Sequence, residues 1–151
     1  MKAIIIFDTK FGNTQVIADA ICDGMKEVGF NDVKVQNGNY TIPEELRDAD
    51  VWIFGSPTHM RGTTRNFKKL LKWIKKEQPL GKMGVAFDTR LEGSSTGAAN
   101  KIADAMEKNG VKLIHEPAPF TVVANEGPLA SGEESRAVTL GRRIVGDLRL
   151  G

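Results

Sequence analysis

Cysteine is nearly absent from this chain: among 151 residues Cys22 stands alone. One thiol cannot close a disulfide framework or build a thiolate cluster for zinc or iron–sulfur chemistry. The absence of disulfides points to a reducing, cytoplasmic setting. Histidine is almost as scarce, and His59 and His115 stand too far apart to make a metal site at a recognised spacing. Long apolar runs are missing too. The run Ala3 to Phe7 is shorter than the roughly seven to fifteen residues of a secretory h-region, and nothing approaches the ~18 of a membrane span. Nor is one charge sign in excess, since 21 basic against 19 acidic residues leave +2, too little to advertise nucleic acid or an anionic membrane. Neither G-x-x-x-x-G-K-[ST] nor G-x-G-x-x-G occurs, which removes the Walker loop and the dinucleotide fingerprint.

What is present is alternation. Apolar, β-branched runs of strand length recur at Ala3–Phe7, Val33–Val35, Val51–Phe54, Met83–Phe87, Val111–Ile114 and Phe120–Val123, with helical patterns in most of the gaps. The first helix runs from Asn13 to Gly29 with Ile17, Ile21, Met25 and Val28 on one face. A second, Arg65 to Lys76, carries Phe67, Leu70, Leu71 and Ile74 and stops before Pro79. A third, Thr96 to Asn109, uses Ala99, Ile102, Ala103 and Met106. The last, about Gly132 to Leu148, turns Ala137, Leu140, Ile144 and Leu148 inward and sets Glu133 and Glu134 at its positive end. Pro43 to Leu46 allows one short turn. Strands separated by helices predict parallel βαβ units, hence an α/β three-layer sandwich around a five-stranded parallel sheet, residues 1–151 forming a single domain.

Ligands of open parallel sheets bind beyond the carboxyl ends of the strands, where the strand order reverses. Three such ends are chemically unusual here. After the first strand, Thr9-Lys10-Phe11-Gly12-Asn13-Thr14 offers hydroxyls, an amide and a glycine just before a helix N-terminus, a setting suited to phosphate. The competing reading is that Thr9, Asn13 and Thr14 only cap the first helix. After the third strand comes Gly55-Ser56-Pro57-Thr58-His59-Met60-Arg61-Gly62-Thr63. After the fourth comes Asp88-Thr89-Arg90-Leu91-Glu92-Gly93-Ser94-Ser95-Thr96-Gly97. In the strand order 2-1-3-4-5 these three loops converge on one crevice.

These pieces resemble the short-chain flavodoxins over essentially the whole chain. Thr9 to Thr14 is similar to that family's phosphate loop, Gly55-Ser56-Pro57-Thr58 to the start of its second flavin loop, and Phe87-Asp88-Thr89 to the start of its third. Glu126-Gly127-Pro128-Leu129 also fits flavodoxin-like sequences. The resemblance implies a flavodoxin-like fold and non-covalent FMN. The cofactor-binding residues it implies are Thr9, Lys10, Phe11, Gly12, Asn13 and Thr14 for the phosphate; Ser56, Pro57, Thr58, His59, Met60, Arg61 and Gly62 on one side of the ring; and Asp88, Thr89, Arg90, Leu91, Glu92 and Gly93 on the other.

Two departures accompany that likeness. No aromatic stands where the family usually stacks one on the ring; His59, Met60 and Leu91 occupy those loops, and Tyr40 follows the second strand, outside the expected site. Arg61 and Arg90 place cations in the flavin loops, expected to offset the negative charge of a reduced ring. Between Arg61 and Lys82, eight basic residues face one acid, Glu77. With no aromatics interleaved with the basic face and no recognition motif this is no nucleic-acid pattern, and it reads as a solvated helix face or a docking surface for an acidic redox protein.

The chain supplies no catalytic triad and no paired carboxylates at one site, so the resemblance implies an electron carrier between redox partners, with no catalytic residue of its own. Two alternatives stand beside it: a small FMN-dependent reductase of quinone-type acceptors using NAD(P)H, with His59 orienting the acceptor, and a flavodoxin-like binding module that has lost flavin.

Overall fold

A computed structural model describes residues 1–59 and 62–150. Ala3-Ile4-Ile5-Ile6-Phe7 is buried at every position and forms β1 (Ala3–Phe7), the signature of a strand covered on both faces. The elements that follow are α1 (Asn13–Glu27), β2 (Val33–Asn37), β3 (Val51–Pro57), α2 (Arg65–Glu77), β4 (Met83–Leu91), α3 (Ala98–Lys108), β5 (Lys112–Leu113), β6 (Ala118–Val122) and α4 (Glu133–Leu150). The Pro43–Asp48 segment is a tight helical turn. All strand pairings are parallel, in the order β2-β1-β3-β4-β5.

The fifth sheet position is filled twice. β3 takes one edge of β4, so β5 and β6 share the other: Lys112 and Leu113 pair with Met83 and Gly84, and Ala118 to Val122 pair with Phe87 to Leu91. Pro117, which has no N–H for the ladder, stands in the break between them, just before β6 begins at Ala118.

Alternation along the strands sorts the core into two halves. Ala3, Ile5 and Phe7 pack with Ile17, Ile21 and Met25 of α1 and with Ala137, Leu140 and Ile144 of α4. Ile4 and Ile6 face the other way, to Phe67, Leu70 and Ile74 of α2 and to Ile102, Ala103 and Met106 of α3. Trp52 is fully buried in that second half, its indole N–H donating to the Leu46 carbonyl at 2.9 Å. Cys22 packs in the first half, where burial pushes its thiol up from the ordinary range.

Helices α1 and α4 touch backbone to backbone through two glycines, Gly24 and Gly141. A Cβ on Gly141 would sit 2.1 Å from the Ile21 carbonyl oxygen and 2.9 Å from Met25 N. One on Gly146, in the same helix, would meet nothing within 4 Å. Gly141→Ala is therefore expected to lower the urea unfolding free energy by about 1–3 kcal/mol through overpacking. Gly146→Ala is expected to leave it equal or raise it by up to about 1 kcal/mol through helix propensity.

The start of α4 is tied to β6. Glu133 accepts the Thr121 N–H at 2.7 Å and pairs with Arg136, whose Nη2 reaches the Pro119 carbonyl and whose Cζ lies 4.3 Å from the Phe120 ring centroid. The Arg136 hydrogen bond, followed by the Thr121 N–H, holds the Glu133 carboxyl below the usual glutamate range, against an opposing effect of burial. A depressed folded-state pKa adds stability that is present above the unfolded value, about 4.3, and is lost as pH falls through the lower folded value. Glu133→Gln is expected to remove this contribution, so that stability measured by urea titration falls less steeply with acid below about pH 4.3.

Candidate functional site

Parallel register sets Phe7, the last residue of β1, level with Gly55 of β3 and Phe87 of β4, whose ends lie further on at Pro57 and Leu91. The chain beyond each end opens into one cleft of about 870 Å³, toward the upper end of the roughly 300–1,000 Å³ of small-molecule sites. Thr9, Lys10, Phe11, Asn13 and Thr14 line it from the first loop, Pro57, Thr58 and His59 from the second, and Thr89 through Thr96 from the third. Val122, Asn125 and Glu126 add a fourth wall, which the sequence reading did not place in the site. Its one signal was Glu126-Gly127-Pro128-Leu129, the stretch that fits flavodoxin-like sequences.

The first loop is shaped for an anion. Gly12 is the N-cap of α1 at φ +92°, a left-handed conformation that favours glycine, and no side chain caps the helix. Neither Asn13 nor Thr14 caps this terminus, since their side chains bond to Glu126 and Thr89. Thr9 Oγ1 instead accepts the Gly12 N–H at 2.8 Å and fixes the turn. The main-chain N–H groups of Asn13, Thr14 and Gln15 have no partner among the described residues, and the first turn holds no acid. Unpaired amides at a helix N-terminus present partial positive charge. Lys10 reaches back over the Phe11 ring, 5.3 Å from its centroid, and both line the cleft.

Thr14 is 1% exposed, and its hydroxyl pairs with that of Thr89 at 2.9 Å, joining α1 to β4. The Thr89 carbonyl accepts the Thr58 N–H at 2.9 Å, and Thr58 Oγ1 accepts the Ala98 N–H at 3.1 Å. A continuous chain of bonds therefore runs from the first loop through the third to the second and on to the start of α3. Asn13 Nδ2 donates to the Glu126 carbonyl at 3.3 Å, tying in the fourth wall.

Not every expected residue faces the cleft. Ser56 is fully buried and donates to the Pro57 carbonyl at 2.8 Å, holding the second loop from behind. Gly62 exchanges two main-chain bonds with His59 at 2.8 and 2.9 Å, while His59 itself is exposed. Met60 and Arg61 lie outside the described residues. Asp88 is fully buried and forms a forked pair with Arg90, at 2.9 and 2.6 Å. Arg90 is therefore not the uncompensated cation that the sequence suggested. Phe11 is the aromatic lining the cleft among the described residues, and it comes from the first loop rather than the second or third. No group of three or more His, Cys, Asp or Glu able to hold a metal occurs among the described residues.

The sequence profile of the Flavodoxin family matches residues 5–91. A flavodoxin of Clostridium saccharobutylicum is 33% identical over 160 aligned positions, which cover 99% of this chain and 98% of that one. An uncharacterised protein of Methanocaldococcus jannaschii is 33% identical over 119 positions, covering 76% of this chain but 30% of its own length. The chain is thus as long as the first relative and spans under a third of the second. Among solved structures, a flavodoxin from the domain Archaea superimposes with a TM-score of 0.81 at 24% identity, covering 99% of both chains.

Proposed function

The chain belongs to the flavodoxin family, whose members bind FMN and transfer electrons, and we propose that it does both as a single domain, with FMN lying in the cleft between the first three loops. The carrying observation is the start of α1, where unpaired amides, a left-handed glycine and the absence of any acid suit a dianionic phosphate. Thr9 uses its oxygen to hold Gly12 and keeps its proton free to donate. Thr14 and Thr89 share one proton between their hydroxyls, leaving one to offer. FMN, when bound, supplies a ring that accepts and releases electrons. The protein's part is to orient that ring, exclude water from one side and leave an edge open. Thr58, Thr89, Arg90, Glu92 and Gly93 form the walls around the ring, while His59 and Leu91, both exposed, border the open side.

A second reading, reduction of a small acceptor at the ring by NAD(P)H, is favoured by that open side, since no aromatic from the second or third loop lines it among the described residues. Among the described residues lining the cleft no nucleophile is hydrogen-bonded to a histidine or carboxylate base, which favours the carrier. We assign the protein to the reducing cytoplasm, a reading supported by its single thiol, which is packed in the core.

The docking face for a redox protein is the outer side of α2. Arg65, Lys68, Lys69, Lys72, Lys75 and Lys76 are exposed there, and α2 follows directly from the second loop. Two members of the basic segment stand apart from this ridge: Lys82 is spent on the Arg47 and Ala49 carbonyls at 2.6 and 2.7 Å, and Glu77, its one acid, is paired with Arg47. The remaining cations make a one-signed surface that attracts an acidic partner.

Titration of apoprotein with FMN, followed by quenching of flavin fluorescence, is expected to give one site per chain, with riboflavin bound at least about a hundredfold more weakly because it lacks the charge-assisted bonds to phosphate. Absence of FMN binding refutes the assignment; binding together with brisk NAD(P)H oxidation by the holoprotein alone favours the reductase. Oxidation of reduced holoprotein by the anionic acceptor ferricyanide is expected to slow as ionic strength rises, and to lose that dependence when Lys68, Lys69 and Lys72 are changed to Glu.

A further inference from the structure

Arg90 leaves the end of β4 with only 8% of its side chain exposed, yet it lines the cleft. Its Nε donates to Asp88 Oδ1, while Nη2 donates to Asp88 Oδ2 and, at 3.0 Å, to Asn100 Oδ1. A guanidinium carries five N–H donors, and these bonds use three. The two on Nη1 have no partner among the described residues. The fork is also fixed from behind: Asp88 Oδ2 accepts the Ala99 N–H at 2.8 Å at the start of α3. A Cβ on Gly97 would come within 2.6 Å of that oxygen and 2.9 Å of Arg90 Cζ, so the space around the pair is closed.

Position and charge narrow what those donors can meet. Successive side chains along a strand point to opposite faces. Thr89 reaches Thr14 on the α1 side, whereas Asp88 and Arg90 reach Ala99 and Asn100 on the α3 side. Arg90 therefore stands across the sheet from the amides at the start of α1. Asp88 compensates its charge, so the pair offers directed N–H groups with little net attraction for an anion. A neutral, planar acceptor fits this better than a phosphate does.

We propose that Arg90 is a ring-positioning residue: Nη1 donates to a carbonyl or imine acceptor on the edge of a conjugated ring held between the second and third loops. The Asp88–Arg90 pair then supplies, by hydrogen bonding, the fixation that these two loops do not supply by stacking. This rests on the FMN assignment above. The test is titration of folded apoprotein with FMN, and with inorganic phosphate in competition with FMN, for wild type, Arg90→Lys and the double variant Asp88→Asn/Arg90→Gln. The double variant keeps the buried pair neutral and hydrogen-bonded, and carries the test if Arg90→Lys does not fold by circular dichroism. Both variants are expected to bind FMN about tenfold to a hundredfold more weakly, with phosphate affinity unchanged. Unchanged FMN affinity overturns the proposal, and so does an equal loss of phosphate affinity, which would mean that the pair only braces the loops. A wild type that fails to take up FMN refutes the assignment itself, whereas wild-type binding with indifferent variants refutes only the role of Arg90.

Discussion

The structure depends on a single row of residues across the sheet, in which Phe7, Gly55, Phe87 and Ala118 lie side by side. Gly55 is the small member because the Phe87 ring occupies the place of its side chain; a Cβ there would lie 2.0 Å from the ring. This packing locks β3 against β4 at one register, and a slip by one residue would turn every side chain to the opposite face. Everything chemical happens one step beyond this row. Asp8, Ser56 and Asp88 follow it, and all three are buried polar residues whose hydrogen bonds anchor the loops that leave the sheet.

The loops are consequently fixed from below by the sheet and from the side by one another. Thr14, Thr89, Thr58 and Ala98 form the lateral chain, and Asp88, Arg90 and Asn100 form a second one on the opposite face. Buried polar groups cost free energy unless paired, so such chains persist only when nearly every member is satisfied. Here they are, apart from donors that turn toward the cleft.

Much of this was legible in the sequence, and what was not has a physical reason. Unbroken apolar runs such as Ala3 to Phe7 carry their own burial pattern, and the helical spacing of Phe67, Leu70 and Ile74 names the inward face of α2 directly. Family-like motifs located the three loops. The start of α3 at Ala98 rather than Thr96 was missed because its cap is Gly97, whose role is to make room for Asp88 and Thr58, neighbours distant in the chain. The pairing of Asp88 with Arg90 was missed for a related reason: two residues apart on a strand they share a face, but whether they meet depends on the depth of the pocket behind them. The fourth wall at Asn125 and Glu126 follows from the path of a long connection, which local pattern does not encode.

The tie between β6 and α4 bears on how the molecule behaves among copies of itself. An outermost strand ordinarily exposes a row of unpaired amides and carbonyls, a template on which a stranger's strand can zip up. Along β6 that row is already spent: the Pro119 carbonyl is taken by Arg136, the Thr121 amide by Glu133, and the Thr121 carbonyl by the Ala130 amide. The side of the sheet nearest the cleft therefore ends in its own helix rather than in an open seam, which protects a crowded solution of this protein from edge-to-edge polymerisation.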